Sequence, residues 1–184
     1  MKFTPQSIAD VILIEPTIHG DNRGYFVETI RQDLLEEAIG YKVKFVQDNE
    51  SKSIKGVLRG LHYQLPPYTQ AKLVRVIEGS VLDVAVDIRK SSPTFGQHVS
   101  LELTAQNKHQ LFVPHGFAHG FVVLSDSATF AYKVDNYYAP EHDRGIAFDD
   151  KELKIDWQLS AEEMQLSEKD RAHPFLANAK YLFE

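Results

Sequence analysis

Between Val81 and Ile88 the side chains alternate: Leu82, Val84, Val86 and Ile88 fall on one parity, with Asp83 and Asp87 on the other and Arg89 continuing it. A period of two is the pleat of a β-strand, so this run predicts a strand with one face in a core and the other meeting polar surroundings. Shorter alternating runs at Val11 to Ile14, Lys44 to Gln47, Val99 to Leu103 and Thr129 to Val134 repeat the pattern. Turn chemistry at Asp21-Asn22-Arg23-Gly24, Glu78-Gly79 and Ser92-Pro93 separates the runs. Many short strands punctuated in this way predict an all-β chain, a sandwich or barrel. Helical signals are few. Asp33 to Ile39 reads as one helix stopped by Gly40, and Ser160-Ala161-Glu162-Glu163 and Ser167-Glu168-Lys169-Asp170 read as capping boxes that open two more.

With 184 residues, 43% of them hydrophobic, and no Pro-, Ser- or Gly-rich linker, the chain is expected to form one domain over residues 1–184. Its 20 basic and 26 acidic side chains leave a net charge of −6, which disfavours general binding to nucleic acid or to an anionic membrane. A local basic pocket for a small anion remains open to it. No cysteine is present, so disulfides, thiolate nucleophiles and sulfur metal ligands are excluded, in keeping with a reducing cytoplasm. The N-terminus lacks an apolar signal core, and the longest uncharged stretch, Gln110 to Ser125, is broken by Pro114, Gly116 and Gly120 as well as His115 and His119.

The chemistry concentrates in Gly56-Val57-Leu58-Arg59-Gly60-Leu61-His62-Tyr63-Gln64 and Gln70-Ala71-Lys72-Leu73-Val74-Arg75-Val76. Strand parity sets Lys72 on the face of Val74 and Val76, where an ammonium group is costly unless something anionic meets it. A histidine base and a cation facing one cavity suit proton abstraction beside a carbonyl, where negative charge develops on oxygen. Parity also raises a difficulty: in a regular strand Arg59 and His62 would face opposite sides. A glycine inside a strand often marks a bulge, so a bulge or sharp twist is predicted at Gly60.

The spacing of Gly56 and His62, and the later Pro114-His115-Gly116-Phe117-Ala118-His119, resemble the two motifs of the cupin superfamily, a double-sheet jelly roll. Metal-binding cupins carry a second histidine where this chain has Gln64, and a carboxylate where it has Pro66 to Tyr68. His62 and His119 alone fall short of the ligand number that zinc or iron requires, so no metal is expected. His115 and His119 have the spacing of a helical metal pair, but Pro114 and Gly116 oppose the helix that such a pair needs.

A longer resemblance follows from Phe45-Val46-Gln47-Asp48-Asn49-Glu50-Ser51, the Gly56-to-Gln64 and Lys72-to-Val76 segments, Asp83 to Arg89, Ser92-Pro93-Thr94-Phe95-Gly96, Gly116 to Phe121 and Leu166-Ser167-Glu168-Lys169-Asp170. In order and spacing, from about Glu15 to Asp170, the chain resembles the dTDP-4-dehydrorhamnose 3,5-epimerase family. The resemblance implies a cytoplasmic homodimer of the cupin jelly-roll fold, without cofactor or metal. It would epimerise a dTDP-linked 4-keto-6-deoxy sugar at C3 and C5 on the route to dTDP-L-rhamnose. It implies His62 as base, Asp170 as the carboxylate that orients it, Lys72 as the charge that stabilises the enolate and Tyr132 as the acid on the opposite face. Arg23, Gln47, Asn49 and Arg59 would contact phosphate or sugar groups, with His119 near the reacting oxygen. Phe26, Glu28 and Tyr138 would surround the thymidine, some of these residues being donated by the partner subunit.

Plainer readings stand beside these. Asp170 also suits a helix N-terminus, Lys72 a snorkelling surface residue, Tyr132 a tethered core aromatic, Asp21 to Gly24 an ordinary turn and Phe26 a core residue. His19, His98, His109, His115, His142 and His173 receive no chemical role, except that His115 is placed at the pocket entrance. The chain departs from the family at Ala71, Phe148 and Asp143, where glycine, tryptophan and glutamate are common, and the last two are expected beside the nucleotide. A sugar-nucleotide 3-epimerase or 3,4-ketoisomerase would use the same fold and base. The non-enzyme alternative is a sugar-nucleotide-binding protein.

Overall fold

The computed structural model describes residues 1–184. Thirteen strands follow one another as β1 (Lys2–Pro5), β2 (Ile12–Glu15), β3 (Ile18–Asp21), β4 (Gly24–Val27), β5 (Gln47–Ile54), β6 (Leu58–Gln64), β7 (Lys72–Glu78), β8 (Ser80–Asp87), β9 (His98–Thr104), β10 (Gln110–Val113), β11 (Phe117–Val123), β12 (Ser127–Val134) and β13 (Asp143–Gly145). Helix α1 (Gln32–Ile39) lies between β4 and β5, and the short α2 (Glu168–Arg171) lies after β13. The strands form a six-stranded sheet in the order β1-β2-β10-β7-β12-β5, a five-stranded sheet in the order β13-β6-β11-β8-β9, and the separate hairpin β3-β4. All strand pairings are antiparallel, and the two large sheets make a sandwich, as the turn-punctuated runs predict, of the double-sheet jelly-roll kind that the cupin resemblance implies.

Three apolar clusters account for the layering. The one between the sheets takes Val74 and Val76 from β7, Val81 and Ala85 from β8, Leu111 and Val113 from β10, Phe117 and Phe121 from β11 and Phe130 from β12. A second covers the outer face of the five-stranded sheet, where Leu82, Val84, Val86 and Ile88 meet Leu153, Trp157, Met164 and Leu176 of the C-terminal segment. The third sets Leu35 of α1 and Val43 against Ile12, Ile14, Leu73 and Phe112 on the outside of the six-stranded sheet.

The first cluster corrects the expectation for β8, because Val81 and Ala85, on the parity of Asp83 and Asp87, lie in it between the sheets. Both faces of that strand are buried, and Asp83 and Asp87 are fully buried rather than turned to a polar exterior. Each carboxylate is satisfied internally, as burial of a charge requires. Asp87 accepts from Arg89, Ser92 and Thr94, and Asp83 accepts from His119. Two further expectations are corrected. Residues 42–46 form no strand, because Val43 and Phe45 pack with α1, and the ladder with β12 begins at Gln47. Ser160 to Glu163 forms a turn: Glu163 reaches back to the Ser160 amide, but no helix follows.

Other local signals hold. Gly40 ends α1 in the left-handed conformation at φ 81°, its amide bonded to the Glu36 carbonyl. Asn22 and Arg23 form the tight turn between β3 and β4. No helix is long and apolar enough to cross a membrane.

Candidate active site

The predicted irregularity lies in β6. Against β11, His62 pairs with His119 and Arg59 with Phe121, so three steps along β6 match two along its partner. Gly60 sits at the slip with φ 138°, and the peptide bond to Leu61 is cis. A Cβ at this position would stand 2.5 Å from Cα of Gly120, so only glycine allows the two strands to approach. The extra residue restores parity, and Arg59 and His62 line the same cavity.

That cavity, about 350 Å³, opens between the sheets and is lined by Arg59, His62, Lys72, His119, Tyr132 and Tyr138 together with Ser51, Asp143, Ser167, Lys169 and Asp170. Its apolar floor is Phe121 stacked on Phe130, with ring centroids 4.1 Å apart. The lysines and the arginine outnumber the carboxylates in the lining, which favours an anionic ligand.

Asp170 arrives by a backbone route. Gln165 bonds to Gly56 and Leu58, laying the C-terminal segment beside the start of β6. Ser167 then caps α2 by accepting the Asp170 amide, and the Asp170 carboxylate meets Nε2 of His62 at 2.6 Å. Burial pushes the His62 imidazole below its ordinary pKa, with Asp170 pulling the other way. Burial alone would raise Asp170, but the neighbouring imidazoles of His173 and His62 hold it well below the usual carboxylate range.

Lys72, first residue of β7, is half-buried, and burial lowers its ammonium to about 8 against the pull of Asp143 and Asp83. Its Nζ lies 3.5 Å from the His62 carbonyl. Tyr132 shares the inner face of β12 with Phe130, and burial raises its phenol, which is therefore protonated at neutral pH. His119 is buried, and its Nε2 meets both oxygens of Asp83 at 3.0 and 2.9 Å.

The sugar- and nucleotide-binding candidates divide into two groups. Gln47, Asn49 and Tyr138 stand in an adjoining hollow that shares Tyr132 and Tyr138 with the main cavity. Gln47 donates to Asn49 and accepts the Tyr138 amide, so the three are tied together. Arg23 and Phe26 instead lie on the β3-β4 hairpin, which lines a separate hollow, and Glu28 is exposed just beyond it. The fold does not bring these three to the cavity of their own chain. Phe26 is 65% exposed, so the reading of it as a core residue fails.

Of the departures, Asp143 lines the cavity, accepting from Tyr138 and Lys169. Phe148 does not. It packs in the outer cluster, its carbonyl accepting from Trp157. Gln64, where metal-binding cupins have histidine, is committed to backbone: it donates to Tyr68 and Tyr137 and accepts from Ala139. His115 pairs with Asp135 away from the cavity, so it neither lines the entrance nor pairs with His119. The side-chain ligand atoms of His62, Asp170 and His173 all lie within 4.8 Å of one another, but His62 Nε2 and Asp170 Oδ1 are spent on the hydrogen bond between them.

Asp83, Lys169 and His173 are the site residues that sequence reasoning missed. The acid that β8 carries between Val81 and Ala85 was a signal for Asp83. Lys169 sits on a short helix and His173 in the loop after it, where no periodicity marks them.

The family model described as dTDP-4-dehydrorhamnose 3,5-epimerase matches residues 5–178. The dTDP-4-dehydrorhamnose 3,5-epimerase of Pseudomonas aeruginosa is 56% identical over 179 residues, covering 97% of this chain and 98% of that one. The crystal structure of dTDP-6-deoxy-D-glucose-3,5-epimerase from Legionella pneumophila, in complex with dTDP-4-keto-L-rhamnose, superposes with a TM-score of 0.92 at 51% identity, covering 96% of this chain and 93% of that one. A 3′-monoepimerase from Streptomyces bikiniensis, in complex with dTDP-quinovose, gives 0.88 at 34% identity, covering 96% and 88%.

Proposed function

The chain belongs to the dTDP-4-dehydrorhamnose 3,5-epimerase family, and from that membership we infer how its cavity performs the reaction. It is an isomerase that epimerises dTDP-4-dehydro-6-deoxy-D-glucose at C3 and C5 to dTDP-4-dehydro-L-rhamnose, a step of dTDP-L-rhamnose biosynthesis. Hydrogens on the carbons flanking the C4 ketone are weakly acidic, so each inversion needs a base, a stabiliser for the enolate and an acid on the other face.

His62 is the base. Burial keeps it neutral near neutral pH, and Asp170 at 2.6 Å fixes its ring and stabilises the imidazolium once the proton arrives. Lys72 supplies positive charge to the C4 oxygen as the enolate forms, and His119, pinned by Asp83, borders the same space. Tyr132 returns a proton to the opposite face, its phenol kept protonated by burial. Once solvent has taken the proton from His62 and returned one to Tyr132, the cycle repeats at the second carbon and inverts both centres, and no step calls on a cofactor or metal. The observation that carries this reading is the His62–Asp170 dyad facing Lys72 and Tyr132 in one cavity.

Arg59, Gln47, Asn49 and Tyr138 hold the phosphate, sugar and thymidine portions at the mouth. Arg23, Phe26 and Glu28 serve the cavity of a partner subunit in a homodimer. Support comes from the detached hairpin, which carries Tyr25 and Phe26 at 61% and 65% exposure. One domain over residues 1–184, whose two sheets share a core, acts in the cytoplasm, in keeping with a chain that has no cysteine.

Incubation with dTDP-4-dehydro-6-deoxy-D-glucose in heavy water tests the assignment. Deuterium should enter at both C3 and C5. Label at C3 alone would make the chain a monoepimerase, and label at neither would overturn the assignment.

A further inference from the structure

We propose that His173, which the scheme above leaves unused, is a positioning residue that takes a second hold on the Asp170 carboxylate and thereby sets the proton affinity of His62. The proposal rests on the reading of His62 as the base. His173 Nε2 lies 3.6 Å from Asp170 Oδ1, the same oxygen that His62 Nε2 meets at 2.6 Å. The two imidazoles stand edge to face, with centroids 5.5 Å apart and planes at 83°. The His173 side chain is only 10% exposed and its Nε2 has no hydrogen-bond partner. A buried polar group left unpaired is costly, so a shift of roughly half an ångström that completes the bond to Asp170 is favoured.

The fold reserves the space for this ring. Gly145 of β13 is the register partner of His62, and a Cβ there would strike the His173 ring at 2.3–2.5 Å. Only a residue without a side chain opposite His62 lets a second imidazole stand beside the dyad.

The consequence for His62 has a definite sign. The groups facing it are Asp170 and His173 from the C-terminal segment, Lys72 from β7 and Asp143 from β13. The two carboxylates favour the imidazolium, while Lys72 opposes it. His173 also opposes it, because an oxygen shared between two N–H donors pulls less on each, and a charged His173 would add like-charge repulsion. Removing His173 gives Asp170 wholly to His62 and raises the proton affinity of the base.

The test follows the His62 imidazole by NMR titration in the free protein, alongside the pH profile of kcat/KM. In His173→Phe, which keeps a ring and loses the donor, the His62 midpoint should rise by about one pH unit, and the acid limb of the profile should move with it. His173→Gln, which restores a donor, should return the midpoint toward that of the parent. A His62 midpoint unchanged in folded His173→Phe overturns the proposal, as does one displaced equally in both variants. If the parent neither turns over nor exchanges substrate hydrogens, the base assignment fails instead. The titration in the free protein still reads the coupling of the two histidines.

Discussion

His62 and Asp170 are 108 positions apart in the chain, and Nε2 of one lies 2.6 Å from Oδ1 of the other. Neither end of this contact is held by its own loop alone. The bulged strand β6 aims the imidazole, and the Gln165 backbone bonds to Gly56 and Leu58 deliver the carboxylate. A base oriented in this way resembles in its physics the histidine–carboxylate pairs of hydrolases, with carbon acid in place of hydroxyl.

Replacing the base while keeping the cavity should separate chemistry from binding. His62→Asn is expected to lower kcat by about 10²–10⁴-fold. Calorimetry should find its affinity for dTDP within about threefold of the parent, because the asparagine carries no phosphate contact away. A variant that kept its turnover would remove His62 from the base role.

The pH dependence of kcat/KM should be bell-shaped. His62 acts as the neutral base, so activity falls as pH drops through an imidazole value lying below the ordinary one. Lys72 acts as the cation, so activity also falls as pH rises through about 8. Lys72→Arg should carry the alkaline limb beyond the measurable range, because a guanidinium does not deprotonate there. Persistence of the limb in that variant would assign it to another group.

Tyr132→Phe separates proton removal from proton return. Deuterium should still wash into substrate through His62, while formation of the epimerised product falls by about 10²-fold or more. Equal loss of exchange and of product would place Tyr132 in substrate binding rather than in reprotonation.

Gly60→Ala tests the bulge. With φ at 138° and a new Cβ 2.5 Å from Gly120 Cα, the strands must part. A loss of about 2–4 kcal/mol is expected in urea unfolding, together with loss of activity, since the same bulge aims Arg59 and His62. An alanine variant with the stability of the parent would show that the two strands adjust without it.

Local periodicity made much of the architecture legible in the sequence. The run from Val81 to Ile88, the turn at Asn22 and Arg23, and the stop at Gly40 each depend on a few adjacent residues, and each stands where the pattern places it. Gly60 was legible for a related reason: parity alone showed that Arg59 and His62 could share a cavity only if the strand slipped. Periodicity misled where it has no reach. Val43 and Phe45 alternate like a strand yet pack against a helix, and Asp83 and Asp87 alternate like an exposed face yet are fully buried.

The sequence by itself thus determined the sheet-rich architecture and the family, and through the family resemblance singled out His62 and Asp170, because ordered motifs and a period of two are properties of neighbours along the chain. The tertiary structure decided what covers each face. It covered the apolar side of β8 with the C-terminal segment and enclosed the side of Asp83 and Asp87 between the sheets, gave Asp83 to His119, set Arg23 and Phe26 on a hairpin away from their own cavity, and stood His173 beside the dyad over Gly145. These are contacts between residues remote in sequence. Their energies depend on which surfaces meet in space, and no local pattern records that.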